Sequence, residues 1–176
     1  NVYNKANHLY SVSGANNGLT VIWNANSYNI NYSGMEGATL SPKPTAHVYG
    51  TNTAIANPLK TGYTFNGWKV NGGAAVKNLT LGATDYTNVI SLQATWSANK
   101  YTVAFDKQNG TGGSTSAAAT FNSAMPAITV PTRTGYTFGG YYTAKNGGGT
   151  QYYTSSGASA KNWNIAANTT LYAKWT

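Results

Sequence analysis

The stretch Lys60 to Trp68 reads Lys-Thr-Gly-Tyr-Thr-Phe-Asn-Gly-Trp, and 73 residues later Arg133 to Tyr141 reads Arg-Thr-Gly-Tyr-Thr-Phe-Gly-Gly-Tyr. A chain written twice folds twice, because each copy must find the same local solution before its neighbours add anything. Tyr28-Asn-Ile-Asn-Tyr32 and Tyr101-Thr-Val-Ala-Phe105 stand at the same offset, as do Pro58 and Pro131. Leu92-Gln-Ala-Thr-Trp96 returns as Leu171-Tyr-Ala-Lys-Trp175 at an offset of 79. Six additional residues therefore lie between Tyr141 and Leu171, and the loop Asn146-Gly-Gly-Gly149 is where they are expected.

A third, partial copy opens the chain. Leu19-Thr-Val-Ile-Trp23 precedes Leu92-Gln-Ala-Thr-Trp96 by 73 residues. The expected organisation is the C-terminal part of a truncated preceding repeat at 1–23, then full repeats at 28–96 and 101–175. Links of four residues, 24–27 and 97–100, predict a semi-rigid string.

Alternation within each copy has a period of two. Tyr101, Val103 and Phe105 fall on one face and Thr102, Ala104 and Asp106 on the other, as in a strand with one wet side. Leu171, Ala173 and Trp175 read inward and Tyr172 and Lys174 outward. A strand is expected over 63–70 and again over 136–143, broken at Gly67 and Gly140 by a bulge or a close backbone approach. No long run carries the helical period. Short helices are conceivable only in the Ala-bearing stretches 115–124 and 161–167. The predicted fold class is small β-rich modules in tandem, mostly strands with at most short helices.

Modules of about 70 residues have little interior, and the chain has no cysteine to staple them. Large aromatic rings are the remedy, each removing roughly 150–250 Å² from water. The expected core is Trp23, Tyr63, Phe65, Trp68, Trp96, Tyr101, Phe105, Tyr136, Phe138, Tyr141, Leu171 and Trp175. Truncating Trp96 or Trp175 is expected to cost about 3–5 kcal/mol. Tyr142, Tyr152, Tyr153 and Trp163 are left over as an alternative ligand surface, where rings beside Asn and Thr could stack on sugars.

Only 8% of residues are charged, and a net charge of +8 arises from 11 Lys and Arg against three acids. No two of the bases are adjacent, whereas a nucleic-acid binder concentrates them in a stripe, so no nucleic-acid partner is expected. No apolar run approaches a membrane span. The chain begins at Asn1 without a Met or a signal peptide, so any export signal or anchor is expected outside it.

Catalytic sets are hard to assemble. Glu36, Asp85 and Asp106 cannot form a carboxylate pair in each repeat, and His8 and His47 lie apart, His47 in a connection where a surface position is expected. The glycine turns at 110–113 and 147–149 lack the Gly-Lys-Ser/Thr ending of a phosphate loop. No metal or cofactor is expected. Asn31, Asn78 and Asn168 open Asn-X-Ser/Thr triplets of the kind an Asn-rich chain produces by composition. A Lys–Asn isopeptide bond beside Asp106 stays open as a cross-link.

Three signatures in fixed order carry a family resemblance: Tyr101-Thr-Val-Ala-Phe-Asp106, then Pro131 to Tyr142, then Thr170-Leu-Tyr-Ala-Lys-Trp175. They closely resemble the Listeria–Bacteroides repeat, the B-repeat module of internalin-type surface proteins. The resemblance covers residues 19–176. It implies β-grasp-like modules in a bacterial secreted or cell-surface protein, between a binding head and the cell-wall end. It further implies a non-enzymatic spacer, stalk or adhesion role, with neighbouring repeats as partners. A glycan or host-surface component is the alternative partner. The first repeat departs from the pattern at Ser33 and Lys69, and the second at Tyr141.

Overall fold

The computed structural model describes residues 2–5, 8–13 and 20–176, with side chains from Asn24 onward. Two compact units emerge: one takes in the described residues up to Leu59 and Phe65–Trp96, the other Lys60–Thr64 and Ser97–Thr176. Ahead of the first full repeat, strands Val2–Lys5, His8–Ser13 and Thr20–Trp23 form an antiparallel meander. The side chain of Trp23, expected in a core, lies outside the described residues, as do those of Tyr10 and His8.

In the first unit a five-stranded sheet is ordered Ala75–Val76, Tyr63–Val70, Ile90–Ala98, Ser27–Ser33, Ala46–Val48. Ile90–Ala98 runs parallel to Ser27–Ser33, with Ile90 opposite Ile30 and Leu92 opposite Tyr32. Its flanking pairs are antiparallel. The second unit repeats the order with Gln151–Tyr153, Phe138–Tyr142, Thr169–Trp175, Lys100–Asp106 and Ser116–Thr120. There Thr169–Trp175 and Lys100–Asp106 are the parallel pair. A mixed sheet with its first and last strands parallel at the centre is the β-grasp arrangement. A parallel pair cannot be closed by a hairpin, so the intervening residues must cross over and fold against one face. Those residues bring Ile55, Leu79 and Leu81 into the first core, and Met125, Tyr152 and Trp163 into the second.

Both interiors are aromatic. In the first, Trp68 is fully buried, with Tyr32 5.5 Å and Phe65 5.4 Å from it in edge-to-face geometry, and its indole N–H donates to the Ala56 carbonyl at 3.0 Å. Tyr141 holds that position in the second, stacked on Phe105 at 4.5 Å and edge-on to Phe138 at 5.1 Å. Trp96 and Trp175 are half-buried at the sheet end. Their indoles donate to the carbonyls of Gly34 and Lys107, which fastens the loop after each repeat's first strand to its last strand.

The Ala-bearing stretch at 115–124, where a short helix was conceivable, contains a strand. Ser116–Thr120 pairs along Lys100–Ala104, and Ala119 is buried opposite Tyr101. Five residues cannot sustain a helix alone, whereas an edge strand gains a ladder and seals the core with small side chains. At 161–167 there is no helix either. Among the described residues the one helical element is a 3₁₀ turn at Lys145–Gly147.

The six additional residues are also distributed differently from the expectation. Trp68 pairs with Val76 eight residues on, whereas Tyr141 pairs with Tyr153 twelve on. Four of the six therefore lengthen the hairpin that contains Asn146, and two fall between Tyr153 and Leu171.

Candidate functional site

The residues expected as a ligand surface do not form one. Tyr152, Tyr153 and Trp163 are 1%, 0% and 0% exposed, which corrects that expectation. Where the first repeat has Trp68 the second has the smaller Tyr141, and Tyr153 lies edge-on to it at 6.3 Å. Tyr153 is also set edge-on to Phe105 at 5.5 Å and donates its hydroxyl to the Pro126 carbonyl at 2.9 Å. Tyr152 packs on Trp163 with ring centroids 4.7 Å apart, and its hydroxyl bonds to Asn164. The counterpart of Tyr153 is Val76, which is 45% exposed. Tyr142 is half-buried, with the Lys174 ammonium 5.9 Å from its ring centre.

Burial acts on these phenols. Desolvation pushes the Tyr141 pKa up to about 12, with the Asp106 charge adding to it, and desolvation alone brings Tyr153 to about 12. In an unfolded chain a phenol ionises near 10. Both pKa values are raised on folding, so their contribution to stability is complete below pH 10 and is lost as pH rises through 12. Urea unfolding of the second unit, followed by circular dichroism, should therefore weaken steeply between pH 10 and 12. The Tyr141→Phe, Tyr153→Phe double variant should flatten that dependence, and an unchanged slope would refute the assignment.

Among the residues expected in the cores, Phe65, Trp68, Phe105, Phe138, Tyr141 and Leu171 are buried. Tyr101 packs half-buried against the second core. Tyr63 is half-buried in the second unit, edge-on to Phe121 at 5.6 Å, with the Lys60 ammonium 4.6 Å from its ring centre. Tyr136 is 51% exposed, contrary to its expected place inside. It closes the turn Arg133–Tyr136, in which the Tyr136 N–H donates to the Arg133 carbonyl at 3.1 Å and Gly135 takes φ +78°.

His47 is buried, not on the surface as expected. It is the inward residue of Ala46–Val48; its Nδ1 lies 2.8 Å from the Thr53 hydroxyl and its ring is edge-on to Tyr86. By strand register its counterpart is the buried Ala119, so no histidine site recurs in the second repeat. Among the described residues, no three His, Cys, Asp or Glu side chains are grouped to hold a metal ion, and no Lys is fully buried as an isopeptide bond requires. Asn78 and Asn168 spend their side-chain oxygens on Asn57 and on the Thr102 N–H. Among the described residues no helix is long and apolar enough to cross a membrane.

Tyr136 borders a cavity of about 320 Å³ at the sheet end of the second unit, lined by Gln108, Asn109, Arg133, Tyr136, Asn146, Ala173 and Trp175. The Arg133 guanidinium lies 3.9 Å from the centre of the Tyr136 ring and reaches the Gln108 carbonyl at 3.4 Å. Gln108, Asn109 and Asn146 all hold positive φ, at 47°, 70° and 58°. Asp106, just before them, accepts the Gln108 N–H at 2.9 Å; that hydrogen bonding, with Lys145 nearby, holds its carboxyl below the usual range. Sequence reading missed this cavity because its residues come from four separate segments.

A family model for the Listeria–Bacteroides repeat domain matches residues 28–94 and again 101–174. The chain belongs to the Listeria–Bacteroides repeat family. As repeats of this family, the modules are non-enzymatic parts of a bacterial extracellular or cell-surface protein. Internalin H of Listeria monocytogenes serovar 1/2a is 36% identical over 141 residues, 76% of this chain and 23% of that protein. A protein of Evansella cellulosilytica named "Putative Gly-rich membrane protein" is 29% identical over 161 residues, 87% of this chain and 17% of that protein. The chain spans about a fifth of the length of these curated relatives. No solved structure matches it.

Proposed function

We propose that these Listeria–Bacteroides repeats are a structural spacer, a stalk that sets the reach of another part of a longer bacterial surface protein. The observation that carries this reading is that one sheet order is built twice, each around its own aromatic core. Strand Ile90–Ala98 passes to strand Lys100–Asp106 with Asn99 alone between them, so little slack chain is left at the junction. Self-sufficient modules on short links add length without needing a ligand.

The test is substitution. The chain is placed between an unrelated binding domain and a cell-wall anchor, and capture of a tethered ligand by the displayed domain is measured. Capture should persist when the repeats are exchanged for unrelated β-modules of equal contour length, and should fall when they are deleted. If equally long modules fail to substitute, or deletion has no effect, the spacer reading is wrong.

A further inference from the structure

We propose that the cavity at the sheet end of the second repeat is a binding site for a singly charged acidic sugar, a pyranose carrying one carboxylate or one sulfate. This goes beyond the spacer reading and does not depend on it.

The repetition supplies an internal control. Three departures of the second repeat from the first converge on this one cavity. Gln108-Asn109 stand where the first repeat has Met35-Glu36, so an acid is replaced by an amide. Arg133 stands where the first repeat has Lys60, exchanging a point charge for a planar fork. Asn146 sits in the hairpin that the second repeat lengthens. The three meet around a space of about 320 Å³, within the range of small-ligand pockets.

The chemistry of the lining selects the ligand. Arg133 has five N–H donors, of which one is directed at the Gln108 carbonyl, and no carboxylate pairs with it among the described residues. Its stacking on Tyr136 fixes the guanidinium plane and leaves its edge for a bidentate anion. It is the only charged side chain in the lining, which favours one negative charge over a phosphate monoester with roughly −1.5 to −2. The amides of Gln108, Asn109 and Asn146 offer donors and acceptors at angles that suit hydroxyl groups. Tyr136 and Trp175 offer ring surface for the apolar face of a pyranose. A metal finds no carboxylate in this lining, and an apolar ligand would strand the amides. Three non-glycine residues held at positive φ around one space are backbone conformations that clusters of this kind keep at binding sites.

The full chain is applied to an array of neutral, singly carboxylated and singly sulfated glycans at physiological salt. In parallel, ¹⁵N spectra are recorded with the strongest glycan. The expected hits are acidic glycans, with the carboxylate and sulfate arms telling the two anions apart. Shifts should be confined to Asn109, Asn146, the Arg133 side chain and the Trp175 indole. Arg133→Gln should weaken binding about tenfold or more, because a charge-assisted pair is lost. Lys161→Gln, which removes the same charge at an exposed position outside the lining, should change it less than about twofold, the size of a screened surface effect. Should Arg133→Gln fail to fold, the Asn109→Gly, Asn146→Gly pair removes two amides while keeping the positive φ, and must also weaken binding. Binding to neutral glycans alone, binding to none, shifts elsewhere, or equal losses in Arg133→Gln and Lys161→Gln would each overturn the site.

Discussion

Trp68→Ala is expected to cost the first unit about 3–5 kcal/mol, close to the whole stability of a domain this small. Trp68 is fully buried and meets the rings of Phe65 and Tyr32 edge-on. Its removal leaves a hole between the sheet face and the crossover residues, and strips the Ala56 carbonyl of its donor. The sheet cannot collapse into that hole, because Ala75–Val76 and Ile90–Ala98 hold Tyr63–Val70 on both sides. Trp96→Ala should cost less, since Trp96 is half-buried and rests on Phe65 at 5.3 Å from the open end of the sheet. Urea unfolding by circular dichroism gives both values. A loss under about 1 kcal/mol for Trp68→Ala would contradict the burial described here.

Gly140→Ala should destabilise the second unit by about 2–5 kcal/mol, from backbone strain together with overpacking. Gly140 has φ +114°, and a Cβ there would come within 2.3 Å of the Tyr153 carbonyl oxygen on the paired strand. The register shifts between Phe138 and Gly140, so the strand bulges at this residue. Gly67 repeats the geometry with φ +140° and a Cβ 2.7 Å from the Val76 nitrogen. Gly139→Ala is the control, because Gly139 is not in the positive-φ region and its nearest neighbour is the flexible Lys174 side chain at 3.3 Å. Thermal melts of the two alanine variants should separate clearly, and equal melting temperatures would rule out the strain.

That break at Gly67 and Gly140 was legible because a glycine inside an alternating strand signals a bulge or a close backbone approach; Gly140 shows both and Gly67 the close approach. The strand pattern of residues 101–106 and 171–175 was equally legible: Val103, Phe105, Leu171 and Ala173 all point inward. Local alternation decides which face is buried, and the 73-residue repeat decides how often. Neither carries information on how far a ring is buried. Tyr136 and Tyr153 look alike in sequence, yet one is half exposed and the other sealed. The difference lies in what each ring meets: Tyr136 has the Arg133 guanidinium over it, whereas Tyr153 lies against Phe105 and Tyr141 and donates to the Pro126 carbonyl.

What the sequence determined alone is the repetition itself, the β class, and a family whose signatures lie at fixed spacing along one strand or one turn. Such features are local, and local physics writes them into neighbouring residues. The sheet order, the burial of His47, Tyr152 and Trp163, and the cavity at Arg133 were decided only by tertiary structure. Each of these depends on residues tens of positions apart meeting across the parallel central pair, and the separation in sequence leaves no periodic trace of such a meeting.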